Sequence, residues 1–118
     1  MENITLPEFE QGKGPVLMLN MVKFKDQKIY FEQYIPAFNQ VLEKLGIEGV
    51  SVKLVTQVVA NVIADEGEQW DQIVLVEYPD AQTFKRIAES EVYHQIANPL
   101  RVAATAELKL LMTRKIDF

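Results

Sequence analysis

The chemistry-bearing residues of this chain are few. Arg101 and Tyr93 stand eight residues apart in a helical segment, which places a guanidinium and a phenol on one side of a helix if Pro99 does not twist them apart. Together they make a clamp for a small carboxylate or phenolate. The competing role for Arg101 is a tie from its helix to a strand carboxylate such as Glu77. Glu77 ends the apolar run Ile73-Val74-Leu75-Val76. A carboxylate held among apolar side chains is a candidate general base; at a strand end it equally well pairs with a neighbouring Lys or Arg. His94 is the single histidine. It is a candidate base or heme ligand, or a solvated helix position beside Tyr93. Asn20 interrupts an apolar strand, where an amide needs a specific partner, and so is a pocket candidate. Lys23 has the opposite parity and snorkels at the rim. Trp70 opens a strand, either lining the mouth of a cavity or plugging a sheet edge.

Other chemistries lack their residues. With no cysteine there is no disulfide framework, zinc knuckle or thiol catalysis. One histidine argues against a zinc or non-heme iron site, and no metal or cofactor is expected. No Ser-His-Asp arrangement, glycine-rich dinucleotide fingerprint or paired catalytic carboxylate motif occurs. Gly12-Lys13-Gly14-Pro15 precedes a strand rather than a helix N-terminus, so it lacks the mechanics of a phosphate loop. Seventeen acidic against twelve basic residues give a net charge of −5, which disfavours nonspecific nucleic-acid binding. No signal-like N-terminal pattern and no apolar run near the ~20 residues of a membrane span is present. A soluble, cytoplasmic protein without nucleic-acid or membrane partners is expected.

Hydrophobic periodicity supplies the elements that position these residues. Residues 1–15 read as a polar leader and 16–118 as a single domain. Alternation over Val16–Lys25 predicts a strand. Asp26 and Gln27 start a helix whose stripe, Phe31, Tyr34, Ile35, Phe38, Val41, Leu42 and Leu45, ends at Gly46. The aromatic series Tyr30, Phe31, Tyr34 and Phe38 reads as helix-to-sheet core. Pro36 predicts a kink over Phe31–Ile35 or a helix that restarts there. Val52–Asp65 alternates with Val52, Leu54 and Thr56 on one face, and its length predicts a bend or bulge. After a turn at Glu66–Gln69, Trp70–Pro79 returns as the second strand of a hairpin. Asp80 and Ser90 cap short helices, Pro99 interrupts the segment to Ala103, and Ala106–Lys115 forms the last strand.

The order β-α-β-β-α-β is the split βαβ, ferredoxin-like arrangement: an α+β sandwich with one four-stranded antiparallel sheet and helices on one face. Both parities of the strands are apolar, so the second sheet face also needs cover. A symmetric homodimer packed sheet on sheet is the simplest solution.

Gly14-Pro15-Val16 followed by Met18-Leu19-Asn20-Met21-Val22-Lys23-Phe24-Lys25 resembles the opening signature of domain-of-unknown-function family 1330. Leu42-Glu43-Lys44-Leu45-Gly46 is similar to the end of that family's first helix. Trp70-Asp71-Gln72-Ile73-Val74-Leu75-Val76-Glu77-Tyr78-Pro79, then Phe84, Tyr93 and Arg101, resemble its second half. The resemblance implies the dimeric α+β barrel superfamily, which holds cofactor-free monooxygenases, lactone isomerases, heme peroxidases and small-molecule sensing domains. The histidine that often precedes the family's arginine is replaced here by Leu100.

Three functions remain open on the sequence. The first is a dimer binding a compact aromatic or carboxylated metabolite in a cavity lined by Asn20, Trp70, Glu77, Tyr93 and Arg101. The second is a cofactor-independent oxygenase or isomerase with Glu77 or His94 as base. The third is a structural dimer with a filled barrel; heme at His94 is a further reading resting on that residue alone.

Overall fold

The computed structural model describes residues 14–118. The expected leader lies outside the described residues except for Gly14 and Pro15. Four strands, β1 (Val16–Phe24), β2 (Ser51–Gln57), β3 (Gln72–Tyr78) and β4 (Thr105–Thr113), form one sheet in the order β2-β3-β1-β4. All neighbours are antiparallel. The fold is the expected α+β ferredoxin-like sandwich. Even-numbered residues of β1, Val16, Met18 and Val22, are buried under the helices. Leu17, Leu19 and Met21 point to the other face, as the two-residue period of a strand requires.

The first helical stretch begins at Asp26, whose carboxylate accepts from the backbone N–H groups of Lys28 and Ile29. A short helix α1 (Gln27–Ile29) runs into a π turn (Tyr30–Tyr34) and then helix α2 (Ile35–Leu45). Pro36 falls in the first turn of α2, where its missing N–H costs least. The wide turn just before it takes up the disruption that a proline imposes on a continuous helix. It also rotates the apolar stripe. Tyr30 is buried as expected, while Phe31 and Ile35, also expected in the core, are exposed. Gly46 closes α2 at a φ of 67°, and its N–H and that of Ile47 return to the carbonyls of Glu43 and Leu42.

The second strand corrects the sequence pattern twice. A register shift between Val52 and Leu54 puts Val52 opposite Val76 on the helix side and Leu54 opposite Leu75 on the outer side. The two therefore do not share a face; the bulge is the expected device, placed early in the strand. Pairing also ends at Gln57 rather than Asp65, so residues 58–71 form a long connection.

The remaining helices are α3 (Ala81–Glu89), α4 (Glu91–Ile96) and α5 (Asn98–Ala104). Asp80 caps α3 through Thr83 N, and Ser90 caps α4 through Tyr93 N. Pro99 starts α5 instead of bending one longer helix. Arg86 donates to the carbonyl of Leu45 at 2.7 Å and ties α3 to the end of α2. The main core joins Val16, Met18, Ala37, Val41, Tyr78, Ala81, Ile87, Tyr93 and Ala97 between sheet and helices.

Candidate functional site

A cleft of about 80 Å³ opens between the helices and the sheet. Met18 and Asn20 of β1 and Leu108 and Leu110 of β4 make its floor. Tyr34 and Phe38 come from the first helical stretch, Phe84, Ile87 and Ala88 from α3, Tyr93 from α4 and Arg101 from α5. A neighbouring compartment of about 120 Å³ shares Asn20, Tyr34 and Phe38 and extends toward Val52, Val74 and Val76. The walls are mostly apolar, with a few convergent polar groups, the usual composition of a small-molecule site.

Each polar group is held by a partner. Tyr34 and Tyr93 meet hydroxyl to hydroxyl at 2.9 Å. Burial pushes the Tyr34 phenol well above its ordinary value, and the adjacent Tyr93 adds to the effect. Tyr30, packed tilted against Tyr34, is raised by burial to about 12, with Tyr93 again contributing. These phenols are therefore neutral hydrogen-bonding groups at ordinary pH. Arg101 donates from Nε (3.2 Å) and Nη2 (2.9 Å) to Oδ1 of Asn98, which fixes its planar fork at the start of α5. Asn20 Nδ2 donates to the carbonyls of Met18 (3.1 Å) and Val74 (3.3 Å). Its Oδ1 accepts no hydrogen bond from the described residues and is left as an acceptor beside the cleft.

The structure divides the sequence candidates between two faces. Asn20, Tyr93 and Arg101 line the cleft, and Pro99 does not twist the last two apart. Glu77 does not join them. It pairs with Leu17 across the outer side of the sheet, and its carboxylate lies 3.7 Å from Lys53 Nζ. That is the strand-end ion pair, and Arg101 bonds Asn98 rather than serving as Glu77's tie. His94 is exposed on α4, with its ring 6.0 Å from that of Tyr93. Trp70 donates to Glu68 Oε2 at 3.0 Å, and Lys109 Nζ stands 5.5 Å over its ring. Lys23, half-buried, has the outer-face parity expected of a rim residue.

Tyr34 and Phe38 are the lining residues that periodicity assigns only to the core. A signal was present: a tyrosine on a buried stripe needs a partner for its hydroxyl, and Tyr93 is such a partner. A second, polar concavity of about 350 Å³ lies at the sheet end between Phe24, Gln27, Gln57, Val58, Asp71 and Gln72. There Asp71 accepts from the Phe24 N–H at 2.8 Å. Among the described residues no cluster of three or more His, Cys, Asp or Glu is arranged to hold a metal ion. No helix there is long and apolar enough to cross a membrane.

Residues 15–113 match the family described as "Domain of unknown function (DUF1330)". The chain belongs to the DUF1330 family. Its fold is similar to that of RPA0582 from Rhodopseudomonas palustris, described as a protein of unknown function. The TM-score is 0.74 at 25% identity, over 89% of this chain and 85% of that one. A dabb family protein with a ferredoxin-like fold from Mesorhizobium loti shares 10% identity at a TM-score of 0.57, over 89% of this chain and all of that one. No curated protein matches this DUF1330 chain.

Proposed function

We propose that this protein is a homodimer whose subunits each bind a compact carboxylic acid in the cleft between helices and sheet. The observation that carries the reading is the convergence of the Arg101 guanidinium and the Tyr34–Tyr93 hydroxyl pair on an otherwise apolar cavity. A guanidinium attracts a carboxylate, and neutral phenols add donors without competing charge. The Asn20 acceptor favours an acid that also carries a hydroxyl. A cavity of about 80 Å³ is far below the ~300 Å³ at which drug-sized sites begin, so the acid is small.

Binding is favoured over catalysis because no carboxylate or imidazole is among the described residues lining the cleft. The two candidate bases, Glu77 and His94, stand on the outer sheet face and on an exposed helix position. The dimer is supported by the outer face. Leu17, Leu19, Met21, Ile73, Leu75, Leu54 and Leu111 occupy one continuous side of the four strands, and Leu54 and Leu111 are half exposed. Apolar surface of that extent marks an interface, and pairing it with a second copy satisfies both at once.

The test is an NMR titration of the protein with acetate, lactate, butyrate and their neutral amides. Carboxylates, lactate most strongly, are expected to shift resonances of Asn20, Tyr93 and Arg101, and the amides are not. Arg101→Gln, checked for its fold by circular dichroism, is expected to abolish the shifts. Equal response to acids and amides, or no response to any, removes the carboxylate reading.

A further inference from the structure

The connection between β2 and β3 is built as a projecting arm. Val58 N–H bonds the carbonyl of Asp71 at 3.0 Å, closing its base. Asn61 Nδ2 donates to the carbonyl of Glu68 at 2.8 Å, a second rung. Glu68 organises the turn: its Oε1 accepts from Asp65 N, its N–H bonds the Asp65 carbonyl, and its Oε2 holds Trp70 with Lys109 at 3.8 Å. These bonds draw its carboxyl below the usual carboxylate range, Trp70 first and the Asp65 N–H second. Gly67 takes the φ of +80° that the turn requires.

This anchored scaffold presents apolar side chains to water. Val59 is 90%, Val62 89% and Ile63 98% exposed. Three neighbouring β-branched residues on an ordered arm are costly to hydrate and favour a partner. The acidic Asp65 and Glu66 lie beside them, both exposed.

A complementary surface lies at the other end of the same sheet. After β4 the chain reads Arg114-Lys115-Ile116-Asp117-Phe118, with Ile116 78% exposed and Phe118 fully exposed. Here two bases precede two large apolar side chains separated by Asp117; on the arm two acids follow the apolar ones. The registers put the ends far apart. Gln57 and Gln72 pair at the arm end, while Thr113 pairs with Leu17 opposite Glu77 at the tail end. Gln72 pairs with Val22, which lies opposite Leu108, so five residues of β4, about 17 Å at ~3.3 Å each, separate the level of the arm's base from Thr113. Within one chain the arm and tail do not cover each other, since Val59, Val62, Ile63, Ile116 and Phe118 all stay exposed.

We infer that in the dimer the arm of each subunit, through Val59, Val62 and Ile63, packs on the C-terminal tail of a second copy, at Ile116 and Phe118, with Asp65 and Glu66 facing the partner's Arg114 and Lys115. This rests on the sheet-to-sheet dimer proposed above and fixes its orientation. The two sheets run head to tail, so each arm overhangs the far end of the other subunit. The opposite orientation brings two acidic arm tips together and leaves both tails uncovered.

The chain's lack of cysteine makes the test direct. Val62→Cys and Ile116→Cys are prepared singly, mixed, exchanged by unfolding and refolding, and treated with a short bismaleimide. A covalent dimer is expected in the mixture and in neither single variant. Light scattering on the untreated wild type is run beside it. A monomer there removes both the dimer and the arm contact. A wild-type dimer with no mixed crosslink, or with crosslinking of Val62→Cys to itself, overturns the arm–tail contact and leaves the sheet dimer standing. As a second reading, Val62→Asp with Ile63→Asp is expected to weaken dimerisation by roughly tenfold or more without loss of the monomer's fold; an unchanged dissociation constant overturns the contact.

Discussion

The two faces of the sheet solve opposite problems with alternate residues of the same strands. On the helix side Val16, Met18 and Val22 are sealed, and most polar groups that enter are matched: Tyr34 with Tyr93, Arg101 with Asn98, the Asn20 amide with two carbonyls, leaving the buried Gln72 Nε2 without a partner among the described residues. On the outer side Leu54 and Leu111 are half exposed, and the few charges include Lys53–Glu77 at one end and Lys109, opposite Met21 in mid-strand, against Glu68. A face completed within one chain can hold a shaped site. A face left apolar and open is the one we propose a second copy completes. The same substitution should therefore have different consequences on the two sides.

The largest contrast is between Val22→Asp and Leu19→Asp. Val22 is fully buried, and an unpaired carboxylate there costs several kcal/mol, a large share of the ~5–15 kcal/mol that holds a typical domain. Val22→Asp is expected to unfold the chain. Leu19→Asp is expected to leave a folded monomer and abolish the proposed dimer. Circular dichroism with light scattering reads both, and the distinction between the faces fails if Leu19→Asp also unfolds the protein.

Next in size is Ile87→Ala. Ile87 is 2% exposed and also lines the cleft. Truncation is expected to cost about 2–5 kcal/mol in denaturant unfolding. It also enlarges the cleft, so longer carboxylates such as hexanoate should gain affinity relative to acetate. Lost stability with an unchanged preference for chain length would separate the core from the site.

Alkaline pH probes the helix side alone. Burial raises Tyr30, Tyr34 and Tyr78, with Tyr93 adding to each. Below pH 10 the folded and unfolded chains carry the same phenolic protons, and the stability these groups contribute is fully present. From pH 10 toward 12 the unfolded chain releases protons that the folded chain keeps, so stability falls, by on the order of 1 kcal/mol per pH unit for each phenol. Phenolate absorbance near 295 nm is expected to rise together with unfolding. A rise at pH 10 in a still-folded chain would mean that the tyrosines are open to solvent.

Much of this division was legible in residue order. Asp26, Gly46, Asp80 and Ser90 each cap where their side chains or backbone freedom suit them, because capping is local chemistry. The element order and the apolar character of both strand parities are likewise local. What alternation misses is any event that shifts a count by one. The bulge after Val52 moves Leu54 to the outer face, and the π turn before Pro36 keeps Tyr30 in the core and turns Phe31 and Ile35 out of it. The candidate site was partly legible for a related reason. Tyr93 and Arg101 lie close enough in sequence to be read together. Asn20 and Glu77 lie on strands that pair antiparallel, and parity within each strand does not say which face the helices cover. The partnership of Tyr34 with Tyr93 joins residues 59 apart and becomes visible only in the folded chain.

That partnership gives the smallest effect and the most specific one. Tyr34→Phe removes one hydroxyl and leaves the other to find a new partner, so it is expected to cost about 1 kcal/mol. Tyr93→Phe should cost a similar amount. The double variant removes both groups, and its cost should fall short of the sum by about 1 kcal/mol, since only one bond is lost. If the two effects simply add in urea unfolding, the hydroxyls are not coupled in solution. Carboxylate affinity measured on the same set then separates a bond that supports the fold from a donor that serves the ligand. Tyr93→Phe should weaken binding more than Tyr34→Phe, because Tyr93 is carried on α4, the helix next to Arg101.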